Sequence, residues 1–138
     1  MRLVLDTNVV MSALFWDGAP RRVLDAGDRG DAILITSGRL IAELRTVLSR
    51  DKFAGRISEA RQTVGNLVES YALRTISVVP VPTPRLAPDP DDDVVIGTAI
   101  AAKADLIVTG DKALLSVAQY RGIRIVSVVD ALRILTAA

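Results

Sequence analysis

Four acids carry the chemistry this sequence could support: Asp6 in "LVLDTNVVMSAL", Glu43 in "ITSGRLIAEL", Asp93 in "DPDDDVVIGTAIAAKAD" and Asp111 in "LIVTGDKALL". The chain has no histidine and no cysteine. Their absence removes the most usual general base, thiol nucleophiles, disulfides and zinc–thiolate sites. Any reaction must then rest on carboxylates, hydroxyls, lysine or arginine. Clustered carboxylates without histidine or cysteine are the ligand set of a hard cation, magnesium or manganese. Such ions hold a scissile phosphate and lower the pKa of bound water, and two of them about 3.5–4 Å apart would suit a nuclease. Magnesium keeps several waters, so few protein ligands suffice.

Each acid also has a plainer explanation. Asp6 follows the apolar run Leu3–Leu5, and Asp111 follows Leu106–Val108 after a short "TG". Either could simply cap the helix after it, a position that favours aspartate. Asp91, Asp92 and Asp93 also open a helix, yet one cap needs one acid and three adjacent like charges repel. Of the three, Asp93 leads directly into Val94, Val95 and Ile96. Glu43 borders the apolar stripe of Leu40, Ile41, Leu44, Val47 and Leu48, where it could serve a site or pair with Arg39 one turn earlier.

The elements that must position these acids alternate along the chain. Short Val-, Ile- and Leu-rich runs predict strands at Leu3–Leu5, Ala32–Ile35, Ile76–Val79, Leu106–Val108 and Arg124–Val126. Helical periods are expected near Asn8–Phe15, Pro20–Ala26, Gly38–Ser49, Ser58–Tyr71, Asp92–Lys103, Lys112–Ala118 and Val129–Leu135. The stretch "VPVPTPRLAPDPDDD" holds five prolines and is expected to be a loop, partly polyproline II. Alternation of this kind implies right-handed crossovers and a parallel sheet. With a strand order of 3-2-1-4-5, Asp6 and Asp111 would flank the point where strand order reverses, where open sheets bind ligands.

Composition agrees with that class. Half the residues are apolar but only 4% are aromatic, which suits an aliphatic core around a buried parallel sheet. At 138 residues, one domain spanning 1–138 is expected. No stretch approaches the roughly 20 apolar residues of a membrane span, and no signal peptide is evident. The expected setting is the cytoplasm. A net charge of +1 argues neither for nor against a polyanionic partner, although Arg39, Arg45, Arg50, Lys52, Arg56 and Arg61 crowd one stretch. Singly, these read as solvated helix faces. Ser37 suits a helix N-cap better than a substrate contact.

Together these motifs resemble the PIN-domain nucleases, and among them the VapC-like toxins of bacterial and archaeal toxin–antitoxin pairs. The resemblance runs over nearly the whole chain, through the closing "GIRIVSVVDALRIL". It implies a single PIN-like α/β domain with a parallel five-stranded sheet, order 3-2-1-4-5, flanked by helices. It also implies that Asp6, Glu43, Asp93 and Asp111 are the catalytic acids, with Asp6, Asp93 and Asp111 holding Mg²⁺ or Mn²⁺. Asn8 and Thr109 match polar positions that orient the acids or the attacking water. The implied activity is metal-dependent endoribonuclease cleavage of single-stranded RNA. The implied partners are that RNA, a cognate antitoxin and a second copy of the chain.

Other classes fit less well. A haloacid-dehalogenase-type phosphatase wants an acid where Asn8 stands and another beyond "GD", and a receiver domain wants adjacent acids after the first strand. A Rossmann nucleotide binder needs glycines where "DTN" stands. The remaining alternative is a PIN fold that binds RNA or a partner without cutting.

Overall fold

The computed structural model describes residues 1–84 and 90–137; of Asp91, only the backbone is described. The chain folds as β1 (Arg2–Leu5), α1 (Thr7–Phe15), α2 (Ala19–Arg29), β2 (Ile33–Ser37), α3 (Gly38–Leu48), α4 (Asp51–Glu59), α5 (Val64–Leu73) and β3 (Thr75–Val78). It continues through α6 (Pro90–Ala101), β4 (Leu106–Val108), α7 (Lys112–Val117), β5 (Gln119–Tyr120), β6 (Ile123–Val126) and α8 (Val128–Thr136). The strands form one sheet in the order β3-β2-β1-β4-β6-β5, parallel except for β5.

Strand alternation divides the core into two layers. Leu3, Leu5, Leu34, Leu106 and Val108 face one layer, built with α1, α2, α3, α5 and α8. Val4, Ile35 and Ile107 face the other, against α6 and α7. Because both faces are covered, the central strands are apolar along their length. The order of the five parallel strands therefore follows the expected 3-2-1-4-5 pattern, and it reverses between β1 and β4.

Three expectations need correction. The sheet has six strands, because Gln119–Tyr120 adds an antiparallel edge beside Ile123–Arg124. That edge is a two-residue strand, and the backbone around it turns through positive φ at Ala118, Arg121 and Gly122. The helix expected over Ser58–Tyr71 begins only at Val64, and Asp51–Glu59 forms a separate helix where none was expected. Arg61 takes φ 55°, a left-handed turn that ends α4, and Thr63 then caps α5 by accepting from Asn66 N at 3.0 Å. The proline-rich loop is also shorter than expected. Residues 79–84 are neither helix nor strand, residues 85–89 lie outside those described, and helix begins at Pro90. Proline suits a first helical position, where its missing N–H is not needed. The same helix stops before Lys103, whose φ of 52° breaks it.

Segment 79–84 is held against α6 by a hydrogen bond from Val81 N to Gly97 O of 3.1 Å. A Cβ at Gly97 would collide with the Val81 carbonyl, so only glycine permits this approach. The contact sits near the middle of α6, one turn beyond Asp93.

Candidate active site

Asp6 stands directly beyond the carboxyl end of β1, and its N–H bonds Val108 O at 2.9 Å, on the neighbouring strand β4. Asp6 caps α1: Oδ1 accepts from Thr7 N at 2.9 Å. Its second oxygen is engaged elsewhere, since Thr109 Oγ1 donates to Asp6 Oδ2 at 2.7 Å. Capping and site geometry therefore coexist in one carboxylate. Anchored to two elements, it cannot rotate without breaking a bond.

Thr109 is fully buried just past β4. Besides donating to Asp6, its hydroxyl accepts from Asp111 N at 3.0 Å. Asp111 in turn caps α7, with Oδ1 accepting from Ala113 N at 2.9 Å. One threonine thus couples the acids that follow β1 and β4, across the point where strand order reverses. Such crevices bind ligands because loops there splay to either side of the sheet.

Glu43 joins from α3. Thr7 Oγ1 donates to Glu43 Oε2 at 2.8 Å, linking α1 to α3 across 36 residues of sequence. The contact accounts for a glutamate at the border of an apolar stripe. Thr7 was not singled out from sequence, although it is buried and bridges two acids; its position next to Asp6 was the available signal. Asn8, by contrast, is exposed at the start of α1. The sequence-predicted residues Asp6, Glu43, Thr109 and Asp111 are therefore joined in one hydrogen-bonded arc through Thr7 and Thr109.

Asp93 enters from α6, on the opposite layer. It is buried, as is Asp92 beside it. Thr98 orients this helix: its hydroxyl donates to Val94 O at 2.8 Å and accepts from Ser37 Oγ at 3.1 Å. Ser37 is itself the expected cap of α3, accepting from Leu40 N at 3.4 Å. Asp93 lines a cavity with Gly38, Arg39 and Val78–Val81, and Glu43 lines an adjoining one that shares Arg39 and Val94. The basic residues of the crowded stretch, Arg39, Arg45, Arg50, Lys52, Arg56 and Arg61, are all exposed.

The site offers only oxygen donors, carboxylates and hydroxyls, which is the chemistry hard cations prefer. Among the described residues, no group of three or more acids stands as a metal-binding cluster.

Fold and site together define a doubly wound α/β protein with an acidic crevice at its switch point. Residues 2–113, which include all four acids, match the model of the PIN domain, and the chain belongs to that family. PIN domains are generally nucleases. In fold, the chain is similar to one in the crystal structure of VapBC2 from Rickettsia felis bound to a DNA fragment from their promoter. The TM-score is 0.60 at 14% identity, covering 92% of this chain and 98% of that one. No curated protein matches the sequence. Among the described residues, no helix is long and apolar enough to cross a membrane.

Proposed function

We propose that the protein is a Mg²⁺- or Mn²⁺-dependent endoribonuclease that cuts single-stranded RNA, and that it acts as the toxin of a toxin–antitoxin pair. The observation that carries this reading is the arc Glu43–Thr7–Asp6–Thr109–Asp111 at the carboxyl edge of β1 and β4. Carboxylates and hydroxyls are the oxygen donors that a hard divalent cation prefers. Asp6, Asp93 and Asp111 would hold it. When bound, the ion supplies positive charge at the scissile phosphate and a more acidic water.

The chain's own residues do the rest. Thr109 and the Thr7 N–H keep both oxygens of Asp6 in place, so the carboxylate need not reorganise during reaction. Thr7 holds Glu43, whose carboxylate is the group to take a proton from the attacking water. Asn8, exposed beside them, meets the substrate. The exposed arginines of α3 and α4 supply a phosphate-binding face. The similarity to a VapBC2 structure supports a cognate antitoxin as partner; a homodimer in the cytoplasm completes the reading.

Incubating purified protein with a mixed-sequence single-stranded RNA in Mg²⁺, Mn²⁺ or EDTA tests this. Internal cleavage that needs the metal is expected. Binding without cleavage in either metal would overturn it in favour of a PIN fold that docks RNA or a partner.

A further inference from the structure

We propose that Trp16 and Arg56 form a base-stacking station for single-stranded RNA, at the far end of the helix that Asp6 caps. The inference rests on the nuclease reading, and deepens it by naming where the substrate is gripped beyond the acids. The chain has two phenylalanines, one tryptophan and two tyrosines, and three of these five rings meet in one place. Phe15 and Phe53 stack at 5.4 Å with an interplanar angle of 20°. Phe15 meets Trp16 edge-on at 5.7 Å.

Packing explains the phenylalanines, which are partly buried against the core beneath α1. It does not explain Trp16, which is 49% exposed. The Arg56 guanidinium lies 4.5 Å from the Trp16 ring centroid and 5.9 Å from that of Phe15. Lys52 Nζ sits 5.1 Å from the Phe53 centroid. Lys52 and Arg56 lie on these rings, Arg50 precedes them at the start of α4, and the exposed acids of the same segments are Asp17, Asp51 and Glu59. An open aromatic ring with cations lying directly on its cluster is what non-specific single-strand binders present: rings for bases, cations for phosphates.

Placement connects this patch to the acids. Helix α1 is nine residues long, about 13 Å at the helical rise. At its start Thr7 bonds Glu43 of α3; at its end Phe15 stacks on Phe53 of α4. The seam between α1 and α3–α4 therefore runs from the acids to the aromatic patch, and Arg50 stands at its turn. A strand cut at Asp6 would lay a neighbouring base on Trp16.

Trp16 is the only tryptophan, so its fluorescence reports the station directly. The full chain is titrated in EDTA with a short oligoadenylate RNA, and with an abasic oligomer of equal length. Quenching by the RNA but not by the abasic oligomer is expected. Labelled-RNA anisotropy should show affinity falling about fivefold or more in Trp16→Ala, about two- to fivefold in Arg56→Gln, and less in Trp16→Phe than in Trp16→Ala. The wild-type titration needs no variant, so a misfolded Trp16→Ala would not blunt the test. RNA binding with unchanged Trp16 fluorescence would overturn the station while leaving the nuclease reading intact. Quenching that grows with protein concentration in the absence of RNA would assign Trp16 to a protein contact and overturn it too, as would failure to bind RNA. RNA-specific quenching in a protein that never cuts would uphold the station and remove the nuclease.

Discussion

Replacing Thr109 with valine keeps the side-chain shape and deletes one hydroxyl, and that hydroxyl makes two buried connections. Asp6 Oδ2 loses a 2.7 Å donor, and Asp111 N loses its 3.0 Å acceptor. A hydrogen bond to a charged group contributes about 1.5–3 kcal/mol, and a neutral one about 0.5–1.5 kcal/mol. The sum is about 2–4.5 kcal/mol, or roughly 6–15 °C in Tm for a domain of this size. Thr109→Ser keeps both bonds and gives up a buried methyl group, a loss of about 1 kcal/mol. Urea denaturation at pH 7 in EDTA should therefore order the proteins wild type, Thr109→Ser, Thr109→Val. RNA cleavage in Mg²⁺ should follow the same order, because the methyl does not touch Asp6's charge and the hydroxyl does. A valine variant within about 0.5 kcal/mol of wild type, or one less disturbed than the serine variant, would refute the bridging role.

Three further outcomes follow from buried contacts elsewhere. Tyr71 is buried in the core with no hydrogen-bond partner for its hydroxyl among the described residues, so Tyr71→Phe should leave stability unchanged or raise it by up to about 1 kcal/mol. Burial pushes the Tyr71 phenol above its ordinary value of 10.0. The unfolded chain then sheds this proton first, and stability should fall above about pH 10 by about 1.4 kcal/mol per unit. That component should vanish in Tyr71→Phe when urea midpoints are compared across pH 9–11. Gly97→Ala forces its new methyl against the Val81 carbonyl; a loss of about 1–3 kcal/mol is expected in thermal melts, with cleavage falling as α6 shifts under Asp93. Thr7→Val should lower stability by about 1–2 kcal/mol and slow cleavage, whereas Thr7→Ser should restore both.

The strands and the acid edge were legible because both depend on short-range pattern. Leu3–Leu5 and Leu106–Val108 are continuous apolar runs closed by polar residues, and the acids follow them within three positions. Caps were legible for the same reason: Ser37, Asp6 and Asp111 each bond an N–H within three residues. What escaped depends on tertiary context. Arg61 and Lys103 adopt left-handed conformations usually left to glycine, so neither helix end carried a breaker. Gln119–Tyr120 is a strand only because Ile123–Arg124 lies beside it. Thr7 carried no signal of its own, since its partner Glu43 is 36 residues away. Asp6 posed a choice between cap and site; its Oδ1 caps α1 and its Oδ2 takes the Thr109 hydroxyl, so the cap leaves the second oxygen for another role.

The most direct measurement is single-turnover cleavage of single-stranded RNA in Mg²⁺ by four variants: Asp6→Asn, Glu43→Gln, Asp93→Asn and Asp111→Asn. Each keeps its side-chain shape and removes one charge. All four should lose about a hundredfold or more in rate while keeping a cooperative unfolding transition. A folded variant that cuts at the wild-type rate would remove that acid from the site, and wild-type cutting by Asp6→Asn would contradict an acid-built nuclease altogether.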